Sequence, residues 1–372
     1  MPKALVAIVS AVIAGACGDQ QPVRIGVIVS APGVAGAQLA ALEINNSHGI
    51  RGRPLELRVM SQGGAVTARL ALLAADSVSL DPAVIGVVGH SNSSASLSGS
   101  QIYNARHLVQ IAPTSTAPLL SQAGPYTFRL VASDIHQARY LADQITADGT
   151  KPSTAIFFVN DDYGRSLYHE LRARLAASGV PVVFDSPYLE ESPLPDVELL
   201  AREVVKSRAE LLVWLGRPPQ LRQLLPVLRP VTPRMRVLAS DAVDNPETER
   251  NADGVLTGVR FVCFINMNGS RPALVGMRDR FRAHTGDEAT VEAALAYDAV
   301  MLLATAAREV GARREAVHRY LRSLGSTRPP FPGVTGDIAF DTNGDLDSSR
   351  PSYCVSEVTA QGALVIPSSG GR

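Results

Sequence analysis

Short apolar, β-branched runs alternate with longer segments whose apolar residues recur at helical spacing, and this rhythm fills most of the chain. Val23 to Ser30 (VRIGVIVS) reads as a strand, Ala37 to Asn46 as a helix, and Leu55 to Met60 as a strand. Thr67 to Leu80 has helical spacing, Ala83 to Gly89 is a buried-strand run, Ala95 to Arg106 can be a helix and Leu108 to Ala112 a strand. The pattern then restarts. Strands are expected at Thr154 to Val159, Val180 to Phe184, Leu211 to Leu215 and Arg236 to Ala239. Helices are expected between them, at Ser166 to Ser178, Val197 to Arg208 and Gln220 to Leu228, with a long one at Val291 to Val310. Strands alternating with helices imply parallel sheets covered on both faces. The restart, with a break near Phe128-Arg129-Leu130-Val131, implies two such sheets rather than one.

The beginning of the chain does not fit this rhythm. Residues 1–17 read MPKALVAIVSAVIAGAC, with Lys3 as a minimal positive start and an apolar run at 4–16. That run is short for a bilayer span and suits a signal-peptide core. It ends in Ala14-Gly15-Ala16 directly before Cys17, which resembles the bacterial lipobox. The expectation is cleavage before Cys17 and acylation of its thiol. The mature chain would then be exported, on the periplasmic or cell-surface side, and held to a membrane through the lipid alone. The alternative is an ordinary secretory leader with an incidental Cys.

Composition narrows the field. The 372 residues are 46% hydrophobic and 19% charged, enough for buried cores and for two lobes. Lys+Arg and Asp+Glu each number 35, and aromatics make up 5%. A balanced, aromatic-poor chain gives no reason to expect a nucleic-acid partner. With Cys17 lipidated, Cys263 and Cys354 remain, each in a β-type run. An exported chain with two such residues is expected to join them as a disulfide between neighbouring strands, two buried thiols being the alternative.

The order of segments resembles the leucine/isoleucine/valine-binding protein family, type I periplasmic binding proteins that serve ABC importers. IGVIV, AALEINNSHGIRGRPLEL, VIGVVGHSNSSAS, IAPTSTAPLL and YTFRLVASDIHQARYLAD carry the resemblance. So do NDDYG at 160–164, ALAYDAVMLLA and GVTGDIAFDTNGD. The match runs from about residue 22 to 365. It implies two doubly wound α/β lobes joined by three crossing strands, with ligand in the gap. Lobe one would be 22–129 plus 264–332, lobe two 130–263 plus 333–366, and 367–372 a flexible tail.

In open α/β sheets, ligands sit beyond the carboxyl ends of the strands. Gly89-His90-Ser91-Asn92-Ser93-Ser94 follows one strand and opens a helix, whose first N–H groups suit a carboxylate. Pro113-Thr114-Ser115-Thr116 occupies the equivalent place after the next strand. By resemblance, Ser93 grips the ligand carboxylate, and Thr114 and Thr116 carry amine and carboxylate contacts, with Ser115 between them. Tyr163 would cover the ligand from lobe two, and Asp241 would pair with its ammonium. There are departures. The loop Ser30 to Gly36 looks short, and Arg217-Pro218 stands where the family has a second aromatic. Arg217 could take a second anionic or amide group, or be a solvated loop residue.

Other chemistries find little support. Gly89-x-Ser91-x-Ser93 lacks the last Gly of a nucleophile elbow. No two His have helical metal spacing, and there is no CxxC. Asp341 to Asp347 looks faintly like a calcium loop but reads as an Asn-Gly turn. The expectation is therefore a solute-binding lipoprotein, not an enzyme, with no cofactor. It would capture a small amino acid or related polar metabolite for an ABC permease. The rival readings are a sensory lipoprotein of the same fold and a hydrolase.

Overall fold

The structure is a computed structural model and describes residues 21–366 apart from 61–67, 191, 195, 246–247, 249–250, 348–352 and 361. The expected leader, Cys17 and the tail at 367–372 lie outside these residues. Among the described residues no helix is long and apolar enough to cross a membrane.

Two separate sheets form. In the first, Val23–Ile28 (β1) pairs in parallel with Leu55–Val59 (β2) and with Val84–Gly89 (β3). Val109–Ala112 (β4) and Thr127–Arg129 (β5) extend it, giving the order β2-β1-β3-β4-β5. In the second, Thr154–Val159 (β6) lies between Val182–Tyr188 (β7) and Leu211–Leu215 (β8), followed by Arg236–Ala239 (β9) and Val259–Cys263 (β10), all parallel. A small hairpin, Phe331–Pro332 (β11) with Asp337–Ile338 (β12), precedes the last two strands. Cys354–Thr359 (β13) then joins β10 antiparallel and carries Gly362–Ile366 (β14) on its far side. The chain crosses between the two halves after Arg129, after Cys263 and between Asp347 and Cys354.

Ten α-helices are seen among the described residues. They are Ala31–Asn46 (α1), Ala68–Ser79 (α2), Ser93–Ala105 (α3), Asp134–Thr146 (α4), Asp162–Ser178 (α5), Val197–Ser207 (α6), Pro218–Leu228 (α7), Pro272–Thr285 (α8), Val291–Val310 (α9) and Arg314–Ser323 (α10). Strands β6, β8 and β9 and helix α9 fall where the sequence pattern places them. Three differences have local causes. Helix α1 begins at Ala31, not Ala37, so the supposed short loop Ser30 to Gly36 is the helix's first turns. Pro32 is tolerated there because first-turn N–H groups need no helical partner. Strand β7 begins at Val182, because Gly179 closes α5 in a left-handed conformation and Val180 N bonds back to Leu175 O at 2.9 Å. Helices α4, α8 and α10 have no counterpart in the expected elements; α10 is short, with only Val317, Tyr320 and Leu321 buried.

Each sheet organises its own core. The first gathers Ile25, Val27, Val88 and Ile111 with Leu295, Leu302 and Leu303 of α9. The second gathers Phe157, Trp214, Leu171 and Phe261. Val334, Ile338, Ala339 and Phe340 pack in the first core, although the resemblance assigns 333–366 to lobe two. The tie is visible at the following turn. Arg129 is buried and pairs with Asp345 at 2.7 Å, and Arg129 N donates to Gly344 O at 3.0 Å. Asp298 of α9 fixes the preceding turn by accepting from Val334 N at 2.8 Å and from Thr335 N and Oγ1 at 2.9 and 2.6 Å. The Asp341 to Asp347 segment is a turn, as expected, with Asp341 Oδ1 accepting from the backbone N–H of Asn343 and Asp345.

Cys263 and Cys354 stand opposite each other in the β10–β13 register and are bonded, with Cα atoms 4.9 Å apart. The expected disulfide between neighbouring strands is present. It spans 91 residues, so the chain-entropy argument allows it up to about 4–5 kcal/mol.

Candidate functional site

Strand order reverses between β1 and β3 in the first sheet, and between β6 and β8 in the second. Loops leaving the carboxyl ends of such strands part and open a crevice. The crevices of the two sheets face each other across one cleft of about 280 Å3. Its first wall carries Ser30 (after β1), Ser91, Asn92 and Ser93 (after β3) and Thr114 (after β4). Its second wall carries Tyr163 (after β6), Arg217 (after β8) and Asp241 (after β9). Val291 and Glu292, at the start of α9, also line it.

The first wall is a lattice of hydroxyls. Asn92 caps α3 by accepting from Ala95 N at 2.9 Å, which holds the helix start against the cleft. Ser93 is buried, and its Oγ accepts from Ala117 N at 3.2 Å, leaving its proton to donate. Thr114 Oγ1 donates to Ser91 O at 2.9 Å, tying the two loops together. Ser91 Oγ donates to Glu292 Oε1 at 2.5 Å, and Ser30 Oγ donates to Glu292 Oε2. Glu292 sits in the first turn of α9, capped by Thr290, where the helix dipole favours a negative charge.

The second wall is built around one carboxylate. Asp241 Oδ1 accepts from the Tyr163 hydroxyl at 2.6 Å and from Gln137 Nε2 at 2.8 Å. Burial pushes the Asp241 carboxyl above its ordinary range, while the bonds from Tyr163 and Gln137 and the charge of Arg217 pull it back. Asp134, fully buried nearby, is held well above that range by burial and by the negative charge of Asp241. Arg217 pairs with Glu190 at 2.5 Å within its own half. The two walls meet where Asp162 N, at the start of α5, donates to Ser94 Oγ of α3 at 3.3 Å.

Of the residues expected from the sequence, Ser93, Thr114, Tyr163, Asp241 and Arg217 come together at this cleft. Ser115 and Thr116 do not line it. Ser115 is buried and hydrogen-bonds Ser96 Oγ at 2.8 Å, behind the loop. Thr116 is fully buried, with its hydroxyl beside Asp134 and its carbonyl accepting from Arg129 Nη1 at 3.0 Å and from Asp134 N at 2.9 Å. In the Pro113 to Thr116 turn, Thr114 faces the cleft while Ser115 and Thr116 are both buried behind it. Tyr163 lines the cleft while buried in its own lobe, with its hydroxyl pinned to Asp241. Glu292, Ser30 and Gln137 have no place in the sequence expectations. An acid two residues after a capping Thr reads as a helix start, and nothing local says that its carboxylate faces a cleft. Among the described residues no group of three His, Cys, Asp or Glu could hold a metal ion.

A profile described as periplasmic binding protein matches residues 25–362, nearly the whole chain. The chain belongs to the periplasmic binding protein family. As a member, it is a solute-binding protein rather than an enzyme. It is 28% identical over 322 residues to an amino acid binding protein of Pseudomonas aeruginosa, covering 84% of this chain and 82% of the other. It is 24% identical over 343 residues to Leu/Ile/Val-binding protein homolog 1 of Brucella abortus, covering 87% and 86%. Among solved structures, a leucine-binding protein of Thermotoga maritima shares the fold with TM-score 0.81 at 21% identity, covering 93% of this chain and 98% of the other. A Desulfitobacterium hafniense substrate-binding protein solved with Leu has TM-score 0.78 at 24% identity, covering 93% and 100%. In this binding protein the two cleft walls are therefore two lobes of a known architecture.

Proposed function

We propose that this binding protein captures a small amino acid between its lobes for an ABC importer. The observation that carries the reading is the cleft itself: hydroxyls and a helix start on one wall, a hydrogen-bonded carboxylate on the other. The Ser93 hydroxyl and the Thr114 backbone N–H hold the ligand's carboxylate, helped by the N-terminal N–H groups of α3, while the Thr114 hydroxyl stays on Ser91 O. Asp241, held in place by Tyr163 and Gln137, holds its ammonium. Thr116 and Ser115 shape the turn from behind rather than touching ligand. Names among the relatives, an amino acid binding protein and a Leu/Ile/Val-binding homolog, support the ligand class.

A ligand that touches both walls stabilises the closed arrangement, and a permease can read that arrangement. The protein works outside the cytoplasm, tethered to a membrane by acylated Cys17. Cys17→Ser is expected to abolish incorporation of radiolabelled palmitate and to release the protein from membranes. The ligand class is tested by calorimetry and thermal shift on the mature protein against the twenty amino acids, amides, urea and short-chain acids. At least one amino acid is expected to bind and raise the melting temperature. Silence across that panel removes the reading.

A further inference from the structure

The cleft is acidic. Among the described residues, Asp241, Asp244 and Glu292 line it against Arg217 as the one lining cation, and Arg217 is already paired with Glu190 at 2.5 Å. Asp241 and Glu292 lie on opposite walls, and among the described residues neither has a cationic partner within ion-pair distance. Their partners are hydroxyls, amides and one backbone N–H. A carboxylate offers about four lone-pair positions. At Glu292, Ser30 N and the hydroxyls of Ser30 and Ser91 fill three. At Asp241, Tyr163 and Gln137 both go to Oδ1, and Oδ2 accepts nothing among the described residues. Each wall thus presents a fixed carboxylate with acceptor capacity left over.

The apolar lining comes from Pro32, Ala242, Phe264, Val291 and the ring of Tyr163, and can cover the methylene stem of a long side chain. An aliphatic side chain would leave Glu292 without a counter-charge in a closed site, which is costly.

We infer that the ligand is a basic amino acid, with its α-ammonium on Asp241 and the cation of its side chain on Glu292. This rests on the amino-acid reading above and narrows it to a substrate class. The α-carboxylate stays with the Ser93 hydroxyl and the Thr114 backbone N–H, so no arginine is needed to hold it. Glu292 is pre-set for the task, because Ser30 and Ser91 fix both of its oxygens before any ligand arrives.

The test is isothermal titration calorimetry of the mature protein with lysine, arginine and ornithine against leucine and valine. Basic amino acids are expected to bind at least about tenfold tighter than leucine, with affinity that falls as salt rises. Glu292→Gln keeps the hydrogen-bond acceptor and removes the charge. It is expected to weaken lysine about tenfold or more and to leave a neutral amino acid within about threefold. Leucine binding as tightly as lysine in the unaltered protein overturns the inference and leaves the amino-acid reading standing. So does an equal loss for both ligands in Glu292→Gln, which makes Glu292 a brace for Ser30 and Ser91 only. Absence of binding by any amino acid overturns both.

Discussion

At the residue scale, binding depends on how a few polar atoms are held. Asp241 is kept by two donors on one oxygen, so Asp241→Ala removes the ammonium's partner and one acceptor each from Gln137 Nε2 and from Tyr163, whose hydroxyl keeps Ser240 Oγ at 2.8 Å. An amino acid is expected to lose about 2–4 kcal/mol of binding, while a short-chain acid lacking the amine loses much less. Equal losses, measured by calorimetry, would make Asp241 structural. Acidification acts in the same direction. Burial raises the Asp241 pKa above its ordinary 3.8, so protonation sets in at higher pH than for a free carboxyl and affinity for the ammonium falls with it.

Asp298 gives a second pH signature, in stability. Burial pushes its carboxyl from 3.8 up to about 6, against three hydrogen bonds from Val334 and Thr335 that lower it. The folded chain keeps this proton longer than the unfolded chain. The group's contribution is therefore fully present below about pH 4 and is lost as pH rises through about 6, roughly 3 kcal/mol in all. Asp298→Asn is expected to flatten the stability profile between those values in urea titrations. An unchanged slope would contradict the assignment.

At the element scale, the site depends on where helices begin. Helices α1 and α9 cross so closely that a Cβ on Gly36 would lie 2.0 Å from the carbonyl oxygen of Ala293. These two helices carry Ser30 and Glu292 to the cleft at their starts. Gly36→Ala must push backbone away from backbone, since no side chain there can yield. A cost of about 1–3 kcal/mol is expected, together with weaker ligand binding, because the Ser30–Glu292 bond moves with the helices. Unchanged chemical unfolding would contradict the crossing. On the other lobe, reduction or Cys263→Ser with Cys354→Ser is expected to cost about 2–5 kcal/mol, chiefly by freeing the unfolded chain.

The same elements show what sequence can and cannot reveal. Strands β6, β8 and β9 were legible because buried parallel strands are unbroken apolar runs bounded by turns. Ser93, Thr114, Tyr163 and Asp241 were legible through the family resemblance, with which their places after the carboxyl ends of strands agree. Ser115 and Thr116 were placed in the cleft, but their burial is set by distant partners, Ser96 for one and Arg129 and Asp134 for the other, that the local run does not reveal. Glu292 was hidden because it lies far along the chain from Ser30 and Ser91, and only folding brings the three together.

At the scale of the whole molecule, two cores, three crossings and a few hydrogen bonds between the halves make a jaw. The Asp162–Ser94 hydrogen bond is one such tie, and its neutral donor and acceptor make it weak, about 1 kcal/mol. Closure without ligand is therefore only lightly favoured by it. Ligand binding is expected to reduce the radius of gyration measured by small-angle X-ray scattering, or to leave it unchanged if this contact already persists in solution. A ligand-induced expansion would contradict capture between the lobes.

The most direct measurement is a crystal structure of the mature protein with whichever amino acid binds it most tightly. The account predicts that amino acid in the cleft, with its carboxylate at Ser93 and Thr114 and its ammonium at Asp241. Finding it bound anywhere else, such as the 220 Å3 hollow by Arg271 and Tyr353, would contradict the account.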